Sequence, residues 1–284
     1  MTGGTLGIGE LARRTGVPGR TIRFYCDEGL LTPARSTGGH RRFDASAADR
    51  LHLLRRLRGL GLGLRAIIDV LDGEQSLAEV VATERAVLDR ELAALAWRRS
   101  VLRAVEEAPD RVALLSVVAD GFAAHDTLVR LWRPVVAGPV QPAAAAMFLD
   151  VSAPRPPELP TPAQVVAYAE LVSLADRTLA TQLRASTLAG HRRIDDLGMA
   201  CRLAISRMTA GLRPGPALDR FVAAHAAAEN TRDSPGFRRT LDRRAAADRH
   251  PALRRYWRIA GEVTGTPVGV AHTWLVDALH DSVS

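Results

Sequence analysis

The stretch 7–25 constrains the fold of this chain more than any other, because it predicts two short helices joined by a tight turn. The turn is residues 15–18, in which Gly16 tolerates a left-handed backbone and Pro18 suits the first turn of a new helix. In the second segment, Ile22 is the single inward-facing anchor. We therefore predict a helix-turn-helix whose second helix keeps a polar outer face.

That outer face carries guanidinium and hydroxyl donors, from Arg20, Thr21, Arg23 and Tyr25. Such donors suit the phosphates and base edges of a DNA major groove. Residues 1–73 hold 12 arginines against 7 acidic residues, so five of the seven net positive charges of the chain lie there. Every basic residue is arginine, which an arginine-rich coding background explains as well as phosphate binding does. The position of the charges therefore supports DNA binding more than their number does.

The rest of the N-terminal region predicts short elements around this motif. A strand over about 5–8 precedes the first helix, Gly29 ends the second, and two further helices cover about 45–58 and 64–72. Residues 35–43 have Gly-Gly turn chemistry between two short extended arms, which predicts a β-hairpin. We assign the side chains of Phe24 and Phe43 to the core.

Several motifs in residues 5–72 together resemble the winged helix-turn-helix of the mercury-resistance-regulator (MerR) family. They are Ile8-Gly9-Glu10-Leu11-Ala12, Thr21-Ile22-Arg23-Phe24-Tyr25, Gly29-Leu30-Leu31, Gly39-His40-Arg41-Arg42-Phe43 and Leu57-Arg58-Gly59-Leu60-Gly61. The resemblance implies a recognition helix that uses Arg20, Thr21, Arg23 and Tyr25, and a wing that uses Arg35, His40, Arg41 and Arg42. Pro18, Cys26, His40 and Phe43 depart from the residues common in that family.

The stretch 76–108 contains neither proline nor glycine and predicts one long helix. Val81, Leu88, Leu95 and Leu102 recur every seven residues along it, which favours a coiled coil with a second copy of the chain. The alternative is a core helix that packs within its own chain. The family resemblance implies an antiparallel homodimer that sets two recognition helices on a palindromic promoter, where RNA polymerase is the indirect partner.

Residues 109–284 predict an all-helical domain, with helical periodicity over about 111–132, 162–189, 194–211, 216–230, 235–248, 251–263 and 267–281. The only cysteines are Cys26 and Cys201, too few for thiolate metal ligation or a disulfide framework. His225 and Glu229 lie four residues apart, but no third ligand is near in sequence, so we predict a hydrogen-bonded or solvated pair. We predict no metal, no cofactor and no catalytic residues, and hence no enzyme.

Aromatic residues are scarce at 5%, and five of them predict an effector pocket in this domain: Trp132, Tyr168, Tyr256, Trp257 and Trp274. Such a pocket suits an apolar or aromatic small molecule, although Trp257 shares a helical face with apolar residues, which favours a place in the core for this side chain. Eight of the 16 prolines lie within 134–162, which excludes a continuous helix there. This segment is predicted to be a linker or a lid over the pocket.

The prediction is thus a mainly α protein in three parts: a winged helix-turn-helix DNA-binding domain (1–73), a dimerisation helix (74–108) and an all-helical effector domain (109–284). We predict a cytoplasmic, homodimeric transcription regulator that binds double-stranded promoter DNA and responds to a small organic effector. The alternative is a protein that sequesters a drug or metabolite and regulates its own gene. No stretch is apolar enough to predict a membrane span.

Overall fold

The computed structural model describes residues 5–35, 40–138 and 140–284. Two compact units divide the chain, Met1–Glu91 and Leu92–Ser284. The described residues form fifteen α-helices and three short strands, so the predicted mainly α fold is confirmed. The boundary between the units falls inside the longest helix, Leu77–Glu107; the predicted three-part division at 73 and 108 stays a prediction.

The N-terminal unit contains a small sheet and four short helices, followed by the start of the long helix. In chain order they are β1 (Leu6–Gly7), α1 (Ile8–Thr15), α2 (Gly19–Asp27), β2 (Ala34–Arg35), β3 (Arg41–Phe43), α3 (Ser46–Gly59), α4 (Leu64–Leu71) and α5 (Leu77–Glu107). The strands pair antiparallel in the order β1-β3-β2. Residues 36–39, where the hairpin turn is predicted, lie outside the described residues.

The turn between α1 and α2 is held by backbone and side-chain hydrogen bonds. Gly16 adopts a left-handed φ of 67°, and its N–H donates to the carbonyl of Ala12 at 2.9 Å. The hydroxyl of Thr15 donates to the Leu11 carbonyl at 2.7 Å. Leu11 and Ile22 are both fully buried in one apolar cluster, which confirms the predicted inward position of Ile22 and fixes α2 against α1.

Phe24 is a correction to the sequence prediction. Phe43 is buried in the core, as predicted, but the side chain of Phe24 is 46% exposed. Residue 24 lies about 200° around the helix from the buried Ile22, so α2 turns it away from α1. An aromatic side chain is therefore presented on the outer face of α2 beside Arg23.

The C-terminal unit is entirely helical in its described part. After α5 come α6 (Val112–Ser116), α7 (Gly121–Trp132), α8 (Pro142–Ser152), α9 (Pro162–Ser173), α10 (Arg177–Ala185), α11 (Ile194–Thr209), α12 (Pro216–Ala228), α13 (Pro235–Arg244), α14 (Pro251–Thr264) and α15 (Val268–Val283). Two predicted helices are each divided in two, at 117–120 and 174–176, where Asp120 and Asp176 cap the helices that follow. Helix α8 was not predicted, because Pro142 opens that helix rather than breaking it.

One continuous apolar core joins these helices to the second part of α5. The indole of Trp97 on α5 donates to the Val118 carbonyl at 2.7 Å and packs edge-on against Tyr168, with ring centroids 5.2 Å apart. The hydroxyl of Ser100 donates to the Pro160 carbonyl at 2.7 Å. Helix α5 is therefore a structural part of this unit and not only a connector.

The described residues contain no single helix with both the length and the hydropathy to cross a bilayer. The pair Pro109–Ser116 and Gly121–Val136 reaches that threshold only when combined, and it is bent by 56°.

Candidate functional site

Ile22 is the only buried side chain of helix α2. The opposite face of the helix carries polar side chains. Arg20 and Arg23 are exposed on it, and Thr21 and Tyr25 are half-buried. Within the described residues, the side chains of Arg20 and Arg23 make no hydrogen bond or ion pair, so the two guanidinium groups have only solvent or an external partner to bind. Tyr25 packs against both apolar clusters of the unit, so only part of it is available to a ligand.

The predicted wing residues differ in what they contact. Arg41 on β3 pairs with Asp27 at the end of α2, at 2.8 Å, and so joins the sheet to α2. Arg42 is exposed on the same strand, and His40 is exposed just before it. The backbone of Arg35 pairs with Arg41 across β2 and β3. The strand pairing thus places Arg42 opposite Gly7 and Ala34, while Arg41 is the residue of β3 that contacts α2.

Other arginines of this unit hold the fold together. Arg50 on α3 donates to the carbonyls of Leu30 at 2.8 Å and Leu71 at 3.0 Å, and it pairs with Asp72 at 2.6 Å. Arg55 donates to the carbonyl of Thr15 at 2.9 Å, at the C-terminal end of α1. Leu71 and Thr15 are the last residues of α4 and α1, so these contacts supply partners to two carbonyls that helix ends leave unpaired. Some arginines of this unit therefore stabilise its fold. The arginines without such contacts lie on α1, α2, α3 and β3.

Helix α5 carries an apolar stripe that its own chain leaves uncovered. The four side chains at seven-residue spacing, which we call the α5 seam, are Val81 (42% exposed), Leu88 (49%), Leu95 (65%) and Leu102 (56%). Leu92, also on α5, is 64% exposed. Other positions are covered: Val80 lies in the core of the first unit, and Val101 in that of the second. Packing within the chain thus accounts for one face of α5 and leaves the seam open.

Comparison with known proteins agrees with this N-terminal geometry. Residues 6–74 match the family model described as MerR HTH family regulatory protein. The HTH-type transcriptional regulator HmrR of Rhizobium leguminosarum bv. viciae is 34% identical over 104 residues, which cover 34% of this chain and 81% of HmrR. The chain belongs to the MerR family. HTH-type transcriptional regulator MerD of Shigella flexneri is 38% identical over 96 residues, 31% of this chain and 79% of MerD.

A longer relative is also similar over about a third of this chain. Nodulation protein NolA of Bradyrhizobium sp. (strain NC92) is 38% identical over 97 residues, 34% of this chain and 41% of NolA. The chain therefore spans about two fifths of the length of the NolA proteins that it matches. HmrR and MerD are transcriptional regulators and not enzymes. The match to the MerR family model lies at the N-terminal end, over residues 6–74.

The aromatic residues predicted to bind an effector lie in the core of this domain. Trp132, Tyr168 and Tyr256 are fully buried and Trp257 is 3% exposed. Trp132 packs against Tyr256 at 5.4 Å and Trp257 at 4.7 Å between ring centroids. The structure thus brings three of the five together, whereas Tyr168 pairs with Trp97 and Trp274 is half-buried at the edge of the core.

The phenols of Tyr168 and Tyr256 also fix the proline-rich connector. Tyr168 donates to the Pro154 carbonyl at 2.8 Å, and Tyr256 donates to the carbonyl of Ser152. Ala153 is fully buried between these two contacts. The connector after α8 is therefore attached to the core at several points.

A small cavity lies beside this aromatic cluster, and we call it the α8/α11 cavity. It has a volume of about 80 Å³ and is lined by α8, α11, α14 and α15. Trp257 is the one predicted effector residue that lines it; Met147, Phe148, Cys201 and His272 were not predicted. Burial raises the pKa of the Cys201 thiol to about 12, so the thiol is neutral. No sequence pattern marks these residues, because four helices distant in the chain supply them.

Three buried histidines lie around Phe221 near this cavity. The rings of His191 and His225 meet edge-on at 4.5 Å between centroids, and Phe221 lies 4.6 Å from His225 and 5.7 Å from His272. Glu229, which was considered with His225, pairs instead with Arg244. No group of three or more His, Cys, Asp or Glu among the described residues is arranged to hold a metal ion.

Burial lowers the pKa of all three imidazoles. For His191 the pKa falls to about 4, with His272 lowering it further and Asp196 and Glu229 opposing the shift. For His225 the neighbouring His191, His272 and Arg244 add to the effect of burial. For His272 burial acts against Asp248, which raises the pKa. The folded protein therefore keeps these rings neutral at pH values where the unfolded chain protonates them.

This difference predicts a loss of stability in mild acid. In the unfolded chain, His191 is protonated as pH falls below about 6.5. In the folded protein, the same imidazole stays neutral until about pH 4. The free energy of unfolding should fall by about 2 kcal/mol between pH 7 and pH 5 from His191 alone. Urea unfolding at both pH values measures it. His191→Leu should reduce this loss of stability, whereas His52→Leu, on the exposed face of α3, should leave it unchanged. Equal losses in the wild-type protein and both variants would contradict the prediction.

Proposed function

We propose that this protein is a homodimeric transcription regulator of the MerR family that binds a palindromic promoter element and responds to a small organic effector. The observation that carries the proposal is the outer face of α2, where Arg20 and Arg23 have no partner in the described chain. A guanidinium group beside DNA binds phosphate oxygens or the O6 and N7 atoms of guanine. The MerR match over residues 6–74 supports the same surface.

The two groups of proposed contacts have different tasks. Arg20, Thr21, Arg23 and Tyr25 on α2 would enter the major groove, where base edges carry a distinct pattern for each base pair. Arg35, His40, Arg41 and Arg42 would lie along the flanking backbone, where phosphate contacts set position and affinity. Because Arg41 already pairs with Asp27, we assign the larger share of the phosphate contact on β3 to Arg42.

The α5 seam supports the dimer. Uncovered apolar side chains grouped on one helix mark an interaction surface, and their seven-residue spacing fits the facing helix of a second copy. An antiparallel pair of α5 helices would relate the two α2 helices by a two-fold axis, which a palindromic site mirrors. RNA polymerase would then be an indirect partner, because it would bind the same promoter without contacting a dedicated surface of this chain.

Helix α5 also supplies a route from effector to DNA. The same helix places Val80 in the core of the first unit and Trp97 and Ala104 in that of the second. An effector that favours one packing of residues around Trp97 would bias the position of α5 and so the spacing of the two DNA-binding units. The response requires different affinities of the effector for the two states, and part of the response would be stored as deformation of the DNA.

Replacing Arg23 tests the proposed recognition helix. Arg23→Ala should weaken binding to the operator, the duplex that the protein selects from a random DNA library, by about 1–3 kcal/mol. Binding to random DNA should change much less, because a base contact carries the sequence information. Fluorescence anisotropy with the two duplexes at one salt concentration measures both affinities. Arg239→Ala, which replaces an exposed arginine on α13 of the helical domain, is the matched control. Equal loss on both duplexes would show that Arg23 contacts only phosphate or nothing.

Replacing Arg42 tests the proposed phosphate contact in a different way. Arg42→Ala should weaken binding to specific and random duplexes alike and lower the slope of log affinity against log salt by about 1. The measurement is the same titration repeated across a range of salt concentrations. An unchanged slope would remove Arg42 from the interface.

A further inference from the structure

The α8/α11 cavity contains an unusual combination of an apolar wall and unpaired polar atoms. Its volume is about 80 Å³, and its wall includes Phe148, Trp257 and Met147. His272 lines the same cavity and is only 4% exposed, yet both of its ring nitrogens lack a hydrogen-bond partner among the described residues. Buried polar groups without partners are rare in folded proteins, and this one lies at the cavity wall.

The indole of Trp257 is held rigidly at this wall. A Cβ atom built on Gly269 would lie 2.0 Å from Cε3 of Trp257, so the ring rests directly on the backbone of α15 and only glycine permits it. The indole nitrogen of Trp257 is buried and also lacks a partner within the described chain. Trp257 and Phe148 thus provide aromatic surface, and His272 and Trp257 provide unsatisfied hydrogen-bonding atoms.

The inner wall carries no charge. The thiol of Cys201 is neutral because burial raises its pKa to about 12, and burial likewise keeps His272 neutral by lowering its pKa. Arg202, which is exposed, is the charged residue that the described lining contains. An ion would lose its hydration in such a site without gaining a counter-charge, so the site suits an uncharged ligand body.

We propose that the α8/α11 cavity is the effector site, that its ligand is a single-ring aromatic molecule bearing one hydroxyl group, and that His272 is the residue that hydrogen-bonds this hydroxyl. The inference rests on the proposed function, because it names the class of effector that the helical domain binds. Aromatic walls favour a ring in offset or edge-on packing. A neutral imidazole has one donor and one acceptor nitrogen, and a hydroxyl group can pair with either.

The test compares two probes of similar size on the full-length protein without DNA. Ligand-observed fluorine NMR would measure binding of 4-fluorophenol and 4-fluorotoluene, which differ in the hydroxyl group. We expect 4-fluorophenol to bind about tenfold more tightly, the effect of one hydrogen bond to an otherwise unpaired buried group. Equal affinities would overturn the role of His272, and no binding of either probe would overturn the site.

Variants locate the binding and separate a structural role from recognition. Ala144→Phe fills the cavity from α8 and should abolish binding of both probes, while Ala143→Phe, exposed and outside the lining, should leave both affinities unchanged. His272→Phe should retain both probes and bring their affinity ratio close to one. Unchanged binding in Ala144→Phe, or an unchanged ratio in His272→Phe, would contradict the proposal.

DNA binding by the same preparations distinguishes this inference from the proposed function. A protein that binds its selected duplex but neither probe would overturn the ligand assignment alone. A protein that binds 4-fluorophenol through the cavity but binds no DNA would overturn the proposed function alone.

Discussion

Leu88→Glu combined with Leu95→Glu should convert the protein to a monomer and reduce its affinity for a palindromic operator by at least about 100-fold. The two leucines are 49% and 65% exposed in the single chain, so their replacement removes nothing from its own core. Burial of a leucine side chain stabilises an interface by about 1.5–3 kcal/mol, and a two-fold dimer loses four of them. The introduced carboxylates would also repel each other across the seam.

Sedimentation equilibrium and operator titration measure the two effects. The matched control is Leu159→Glu with Leu212→Glu, two leucines that are 80% and 52% exposed outside α5; it should stay dimeric and keep its operator affinity. Helical circular dichroism should be the same in all three proteins, because none of these side chains is buried. A double α5 variant that remains a dimer would remove the seam from the interface.

Asp248→Ala should cause the largest loss of stability that a single polar substitution produces in the helical domain. The Asp248 carboxylate is 1% exposed and accepts hydrogen bonds from the hydroxyl of Ser186, from the N–H of Thr187 at 3.0 Å and from its hydroxyl at 2.9 Å. Alanine leaves these three donors buried without an acceptor. The free energy of unfolding should therefore fall by about 3–4 kcal/mol.

Tryptophan fluorescence during urea unfolding reports on this change selectively, because all four tryptophans lie after residue 92. Asp150→Ala, an exposed aspartate on α8, should shift the free energy of unfolding by less than about 0.5 kcal/mol. An unfolding transition of Asp248→Ala that coincides with the wild-type transition would show that the three donors find other partners.

The N-terminal elements could be predicted because local chemistry determines them. Gly16 and Gly29 end helices with φ of 67° and 78°, as their positions in the sequence indicate. What could not be predicted is which arginines are structural: Arg50 and Arg55 reach carbonyls 20 and 40 residues away. Such contacts depend on tertiary placement, and neighbouring arginines in α3 look alike in sequence.

In the helical domain, most of the helices could be predicted from the sequence, but the cavity could not. Its helices follow apolar periodicity, and the main error, the missing α8, arose from treating Pro142 as a helix breaker. The effector residues were chosen by residue type, but large aromatic side chains such as Trp132 and Tyr256 are used to fill the core. The cavity depends on small residues such as Gly198 and Gly269 and on a histidine whose partners are absent, features that only the assembled helices reveal.

Selection of bound sequences from a random double-stranded DNA library by the full-length protein, with the number of chains per bound duplex determined by native mass spectrometry, tests directly whether this chain is a dimeric MerR regulator. We predict enrichment of a two-fold symmetric motif with two chains on each duplex. No enriched motif, or an asymmetric motif bound by a single chain, would contradict the dimeric regulator.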